Sequence, residues 1–313
     1  MRIAIIGAGI CGLYLAWKLS GRGEDVAVFE RSDKIGKEAC SGLFSDRILD
    51  FIPQSRSLIQ NEIAGVLIHF PKRTVRIQFK RKFFAMEHAA LDRLVADLAQ
   101  KSGAKILLDR NVPRTLLGTL HGEFDRIIGC DGALSEIREA IGLRKPRFHL
   151  GIQGFVQKND FSNLVETWPT KSGFIWRIPR GKEVEYGIIE DPKTAKIIFD
   201  EFRRANKFAL ERIASAPIPQ DLIIPKNPKI TLCGDASGLT KPWSGGGVIW
   251  GLTAADILLK NFPDFIKYQN EVGKAFSNQI KFSKMAKTAI HFLGFRLPWF
   301  LPANHQTDGD FLI

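Results

Sequence analysis

The first thirty residues follow an order that strongly limits what the chain can fold into. An apolar run, Ile3 to Ile6, leads into Gly7-Ala8-Gly9-Ile10-Cys11-Gly12. A helical pattern follows through Leu13, Leu15, Ala16 and Leu19, and a second strand then ends at Glu30. Strand, glycine turn, helix, strand and acid, in that order, form the fingerprint of a dinucleotide seated at the edge of a parallel sheet. The three glycines serve different physical ends. Gly7 permits the tight turn, Gly9 lets the backbone approach a pyrophosphate, and Gly12 lets helix and strand pack closely. The pyrophosphate then lies at a helix N-terminus, where free N–H groups and the helix dipole favour an anion. Glu30 suits ribose hydroxyls and argues against a 2'-phosphate.

The fingerprint alone does not separate NAD from FAD, but a second glycine-rich region near the C-terminus does. Ile230 to Cys233 reads as a strand, Gly234-Asp235-Ala236 as a turn, and Ser244-Gly245-Gly246-Gly247 as the entry to an apolar helix through Val248, Leu252, Ala255 and Leu259. A second helix N-terminus is thereby aimed at a ligand. A flavin ring, negative when reduced, is stabilised by such N–H groups, and Asp235 is placed for ribityl hydroxyls. Between these regions, Asp125 to Arg138 reads as a buried strand, an Asp131-Gly132 turn, and a helix beginning near Ser135.

At 313 residues with 45% hydrophobic content, the chain is long enough for one large or two modest domains. No apolar run approaches the roughly 18 to 20 residues a spanning helix needs, and the N-terminus enters a strand with no signal-peptide core. A cytoplasmic protein, peripheral at the membrane at most, is expected. The four cysteines, at positions 11, 40, 130 and 233, form no CxxC pair and lack histidines at ligand spacing, so neither metal nor a disulfide framework is expected. Lys and Arg total 45 against 33 Asp and Glu, a net charge of +12. That surface attracts polyanions or an anionic leaflet, yet no nucleic-acid motif is legible and no nucleic-acid partner is expected.

The three cofactor segments are separated by stretches of another character, so the domains interleave. Residues 1–50, 86–145 and 226–264 are assigned to a cofactor domain. Residues 51–85 and 146–225 carry alternating patterns such as Val66, Ile68, Phe70 and Val75, Ile77, Phe79, which predict antiparallel strands of a substrate domain. Helical spacing over Thr194 to Leu210, with Ile197, Ile198, Phe202 and Ala205 apolar, predicts a helix covering that sheet. Residues 265–313 mix Phe, Ile, Trp and Met with Lys and Arg; such an amphipathic segment suits a bilayer surface or packing on the cofactor domain, and both placements stay open.

These blocks resemble the flavoprotein superfamily of para-hydroxybenzoate hydroxylase and, within it, the geranylgeranyl reductase family. Lys34-Ile35-Gly36 leading to Cys40-Ser41-Gly42-Leu43 is similar to that family's cysteine loop beside the flavin ring. Gly173-Phe174-Ile175-Trp176-Arg177-Ile178-Pro179 is similar to its Tyr-x-Trp-x-Phe-Pro motif, with Trp176 and Pro179 matching and Phe174 and Ile178 replacing Tyr and Phe. The resemblance spans about residues 1 to 260. It implies an α/β fold: a Rossmann-like FAD-binding domain of the hydroxylase type, an interleaved antiparallel-sheet substrate domain, and a helical C-terminal segment. It implies FAD contacts from Gly7, Gly9, Cys11 and Gly12, from Glu30 and Arg31, and from Cys40, Ser41 and His88. Asp131, Gly132, Asp235, Gly246, Gly247 and Val248 complete that set. Cys40 and Trp176 become the catalytic candidates, and Phe174, Trp176 and Pro179 the substrate-facing ones. Cys11, Cys130 and Cys233 lie on or beside cofactor turns, where packing is the simpler role.

Three departures stand out. His88 occupies the place where the family usually has Arg, four residues before the aspartate matching Asp92. Ser41 replaces a glycine often found after the loop cysteine. The chain is also shorter than typical members. The expected activity is FAD-dependent reduction of isolated C=C bonds in the prenyl chains of lipids, with electrons from NADPH, ferredoxin or a deazaflavin. The rivals are an FAD-dependent monooxygenase acting on an apolar substrate, and a flavin-binding, membrane-associated protein without catalysis.

Overall fold

The computed structural model describes residues 1–36 and 39–311. The N-terminal unit is β1 (Arg2–Ile6), α1 (Ile10–Ser20) and β2 (Asp25–Phe29), with the short β3 (Leu43–Ser45) and α2 (Ile48–Phe51) after it. A long hairpin, β4 (Ile59–Phe70) and β5 (Arg73–Met86), precedes α3 (His88–Lys101), β6 (Lys105–Leu107), α4 (Leu117–Glu123), β7 (Arg126–Gly129) and α5 (Glu136–Ala140). Four strands follow: β8 (Phe148–Val156), β9 (Leu164–Pro169), β10 (Phe174–Pro179) and β11 (Val184–Glu190). The remainder is α6 (Ala195–Ala205), β12 (Glu211–Pro219), β13 (Ile230–Leu232), α7 (Val248–Asn261), α8 (Phe265–Arg296) and β14 (Asn304–Thr307).

The first sheet is wholly parallel, in the order β13-β7-β1-β2-β6. Its central strand reads as an unbroken apolar run because both faces are covered. Ile3 and Ile5 enter the core shared with α1, α3 and α7, while Ala4 and Ile6 enter a second core with Ile127, Ile137 and Leu232. The second sheet runs β12-β8-β11-β10-β9-β4-β5-β14, with β3 also paired to β5. It is antiparallel except at β4 with β9 and β5 with β14. The predicted alternation in β4 and β5 sets their register, with Val66 opposite Ile77 and Ile68 opposite Val75. A parallel Rossmann-like sheet, an interleaved and largely antiparallel sheet and a helical C-terminal segment are therefore all present, as the sequence implies.

One local reading needs correction. α6 covers the second sheet with Ala195, Ile198, Phe199 and Phe202, a clean i, i+3, i+4, i+7 set, while Ile197 is 60% exposed and Ala205 is exposed. Phe199, not Ile197, is the core residue because at about 100° per residue Phe199 falls on the same side as Ala195, Ile198 and Phe202 while Ile197 points away from them. In the tail, the first half of α8 takes the packed placement on the cofactor domain. Phe265, Tyr268, Val272 and Phe276 bury themselves on the first sheet's core. Farther along, Lys287 Nζ donates to the Ser172 carbonyl at 3.1 Å and Gly294 lies under the Phe70 ring, so the helix straps the two sheets together. Phe282, Met285, Phe292, Trp299 and Phe300 are left exposed. Among the described residues, no helix is long and apolar enough to cross a membrane.

Candidate active site

At two of its three glycines the first turn leaves no room for a side chain. Gly7 has φ +103°, and a Cβ there would stand 2.4 Å from the Cys130 carbonyl oxygen. A Cβ on Gly12 would stand 2.1 Å from the Gly7 oxygen, so helix and turn touch backbone to backbone. Gly9, by contrast, faces open space and caps α1 without any side-chain hydrogen bond, which leaves the first N–H groups of the helix available to an anion. Glu30 is fixed beside this cradle: Oε2 accepts from Ala8 N at 2.7 Å and Oε1 from Ser32 N at 2.9 Å. Each oxygen keeps a further lone pair for a ribose hydroxyl. Arg31 is exposed next to it.

The second turn, Asp131-Gly132, closes β7. Asp131 Oδ2 accepts from Ile137 N at 3.1 Å, while Oδ1 is buried with no partner among the described residues; burial raises this carboxyl. An orphaned buried oxygen of this kind fits a missing hydroxyl donor. The third turn leads into α7, whose cap, Gly247, again makes no side-chain bond. A Cβ on Gly247 would stand 2.7 Å from Asp235 Oδ1, and one on Gly245 would strike Ile189 of the second sheet at 2.5 Å. This glycine turn therefore seals the junction between the sheets, with Val248 as the first residue of the helix. All three turns fit a dinucleotide with a flavin end.

The C-terminal tail braces the third turn, a role the sequence did not suggest. Asp310 is fully buried; Lys241 Nζ donates to its Oδ1 at 2.9 Å and Arg47 Nη1 to its Oδ2 at 3.0 Å. Lys241 lies against Gly246, where a Cβ would meet its Cε at 2.9 Å.

The Cys40 loop is pinned by its carbonyls, each to a different element. Gln153 Nε2 donates to the Cys40 oxygen at 3.0 Å, Arg180 Nη1 to the Ser41 oxygen at 2.6 Å, and Met86 N to the Gly42 oxygen at 2.8 Å. Gly42, at φ +58°, could not carry a side chain, because its Cβ would overlap the Met86 oxygen at 1.9 Å. Its N–H donates to Cys40 Sγ at 3.4 Å. His88 opens α3 next to this thiol, 5% exposed, with Nε2 3.3 Å from Asp92 Oδ1 one turn on. Burial opposes its protonation, but the charges of Asp92 and Cys40 and hydrogen bonding to both prevail, and its pKa is raised to about 10.

Trp176 lies on the apolar face of the second sheet with Ile63, Phe83 and Ile189, with Phe174 at its margin. Its indole crosses Gly187 on β11, where a Cβ would come within 2.2 Å, and its Nε1 donates to Glu185 Oε1 at 2.9 Å. Glu185 Oε2 accepts from Arg180 Nη1 at 2.7 Å. Burial pushes Glu185 up to about 8, against the opposing pull of Arg180 and the Trp176 N–H. Pro179 ends β10, its oxygen accepting from Asn61 Nδ2 at 2.9 Å. Arg180 and Glu185 carried no sequence signal beyond their proximity to the Trp176 motif.

The other cysteines lie deeper. Cys11, Cys130 and Cys233 gather beneath the first turn, where hydrogen bonding to Cys233 and burial push Cys11 and Cys130 well above the usual thiol range. Among the described residues no group of His, Cys, Asp or Glu could hold a metal ion.

Residues 2–112 match the family model described as FAD dependent oxidoreductase. The chain is 22% identical to the digeranylgeranylglycerophospholipid reductase of Methanocaldococcus jannaschii, with 82% of this chain and 76% of that protein covered. It is 26% identical to the kynurenine 3-monooxygenase of Flavobacterium johnsoniae, with 86% and 76% covered. Among solved structures, a geranylgeranyl bacteriochlorophyll reductase-like protein from Thermoplasma acidophilum shares the fold, with a TM-score of 0.79, 20% identity, and 93% of this chain and 88% of that one covered. The glycine cradles and these matches together identify the chain as an oxidoreductase with FAD as its cofactor, related to the geranylgeranyl reductases.

Proposed function

We propose that the protein reduces isolated carbon–carbon double bonds in the isoprenoid chains of lipids, with Cys40 and Trp176 at the reacting end. The observation that carries this reading is a half-buried thiol on a rigidly pinned loop, close enough for its charge to act on Glu185, the carboxyl that holds Trp176 on the apolar, aromatic face of the second sheet. An unactivated alkene has no carbonyl to hold negative charge, so a proton must lead or accompany hydride. The cationic character that develops on a substituted carbon is tolerated by aromatic faces and excluded from water by the apolar wall. FAD, when reduced and bound, supplies the hydride. Cys40 delivers the proton, and Phe174, Trp176 and Pro179 hold the chain against the sheet.

On the cofactor side, Gly7, Gly9, Cys11 and Gly12 line the pyrophosphate, and Glu30 with Arg31 takes the adenosine ribose. Asp131, Gly132 and Asp235 meet the hydroxyls of the linker, and Gly246, Gly247 and Val248 present α7 to the ring. Cys40, Ser41 and His88 would complete the surroundings of the ring. An external donor supplies the electrons. The exposed Phe282, Met285, Trp299 and Phe300, flanked by Lys281 and Arg296, rest on an anionic membrane that presents the lipid. The relative named kynurenine 3-monooxygenase favours, as a second reading, oxygenation of an apolar substrate.

Dithionite-reduced holoprotein incubated without oxygen with a digeranylgeranyl phospholipid tests the proposal. Mass spectrometry should find two hydrogens added per double bond, and Cys40→Ala should lose most of that gain. A lipid of unchanged mass, or full turnover by Cys40→Ala, would remove respectively the activity or the role of the thiol.

A further inference from the structure

We propose that residues 308–311 form a latch on the third glycine turn, so that Asp310 and Lys241 set how tightly FAD is held and bound FAD in turn keeps this strap in place. The inference rests on the reading of Gly246, Gly247 and Val248 as the turn that meets the flavin end, and adds the residues that hold that turn. Asp310 and Lys241 are positioning residues, since they act on the cofactor only through the turn.

The strap starts on one sheet and ends on the other. β14 pairs with β5 at the edge of the second sheet, while Phe311 packs against the core of the first. Asp310, fully buried, takes Lys241 Nζ at 2.9 Å and Arg47 Nη1 at 3.0 Å, and Arg47 also clasps Asp308 at 2.7 and 2.8 Å. Two carboxylates thus meet two cations. Lys241 is the arm that reaches the turn: its N–H donates to the Gly246 oxygen at 3.0 Å and its own oxygen accepts from Gly245 N at 2.8 Å. Its Cε stands 2.9 Å from where a Gly246 Cβ would be, so the side chain forms the floor of the turn. The strap also grips the helix that follows. Trp250, near the start of α7, donates Nε1 to the Asp310 oxygen at 2.9 Å, and Phe311 stacks on its indole at 6.2 Å between centroids.

These contacts fix both the turn and the first turn of α7, whose N–H groups are the ones offered to the ligand. Lys241 is itself buried, and a buried ammonium that loses its carboxylate is driven toward water. Its stem then leaves Gly246, and the turn loses its floor. Docking of the strap therefore supplies in advance the order that FAD binding needs. By linkage, FAD favours the docked strap by the same factor by which the strap favours FAD.

Amide hydrogen exchange of residues 304–311, read by mass spectrometry in holoprotein and apoprotein, tests the latch without any substrate. Removing FAD should speed exchange there at least about tenfold, whereas a strap that only stabilised the fold would not respond to the cofactor. Asp310→Asn keeps the shape and removes the charge, and should raise the FAD dissociation constant at least about tenfold in a fluorescence titration. Equal exchange with and without FAD in the unmodified protein, which needs no variant to fold, or unaltered affinity in Asp310→Asn, would each overturn the latch. Gly247→Ala, whose Cβ would stand 2.7 Å from Asp235 Oδ1, tests the turn itself. Undiminished FAD affinity in Gly247→Ala would refute the reading on which the latch rests, while affinity lost there and kept in Asp310→Asn would refute the latch alone.

Discussion

Arg180→Met removes the side chain that ties the Cys40 loop to the second sheet. The guanidinium donates to the Ser41 oxygen at 2.6 Å, to the Met86 oxygen at 2.5 Å, to Gln60 Oε1 at 3.0 Å and to Glu185 Oε2 at 2.7 Å, and the residue is 4% exposed. Methionine approximates its length, so packing is largely kept and the effect is polar. Two backbone oxygens lose their partner and, above about pH 8 where Glu185 is ionised, a buried carboxylate is left without its counter-charge. Breaking a buried pair on one side costs about 3–5 kcal/mol, which lowers the melting temperature by roughly 10 °C in a domain of this size. Adding Glu185→Gln removes the stranded charge while keeping an acceptor for Trp176, and should restore about 1–3 kcal/mol of that loss. Urea unfolding of the three holoproteins, followed by flavin and tryptophan fluorescence, measures the series. Because the Ser41 oxygen is released, alkene reduction should stay low in the double variant although stability returns. A loss below about 1 kcal/mol for Arg180→Met, or a double variant weaker than the single, would refute the reasoning.

Three further outcomes are expected. Gly12→Ala, whose Cβ would stand 2.1 Å from the Gly7 oxygen, should weaken FAD binding by at least about tenfold by forcing helix and turn apart, measured by flavin fluorescence on titration of the apoprotein. The folded-state pKa values of His88, about 10, and Glu185, about 8, lie above their unfolded values, so their stabilisation is complete at low pH and fades as pH rises through those values; His88→Gln should flatten the decline between about pH 6.5 and 10 in urea titrations. Replacing Trp299 and Phe300 by serine should reduce sedimentation with anionic vesicles several-fold without altering the melting temperature, because both side chains are exposed.

What the sequence revealed was local. The first turn, the Asp131-Gly132 turn and the Gly245–Gly247 turn could be read because each couples a strand period to a helix period through residues that only a close backbone approach requires. The β4–β5 hairpin was legible for the same reason, since alternation fixes its register. The rest depends on pairs remote in the chain. Gln153 holds Cys40 from 113 residues away, and Asp310 anchors Lys241 from 69 residues away. No periodicity links such partners, because their proximity is a product of topology. Gly187 resembles any strand glycine until Trp176 is seen lying across it. His88 and Asp92 share one face of α3 through their four-residue spacing, but only the fold brings the Cys40 loop to it. The tail's apolar residues gave a period but not a partner, and α8 uses its first half for the core and leaves much of its second half exposed.

Anaerobic photoreduction of the holoprotein, followed by rapid mixing with either a digeranylgeranyl phospholipid or oxygenated buffer, bears most directly on the claim that this is a reductase of prenyl chains. The account predicts that lipid alone restores the oxidised flavin spectrum in a single turnover and that Cys40→Ala slows this strongly, with no flavin hydroperoxide accumulating in oxygen. A flavin that stays reduced in the presence of lipid, but yields a long-lived hydroperoxide spectrum with oxygen, would contradict it.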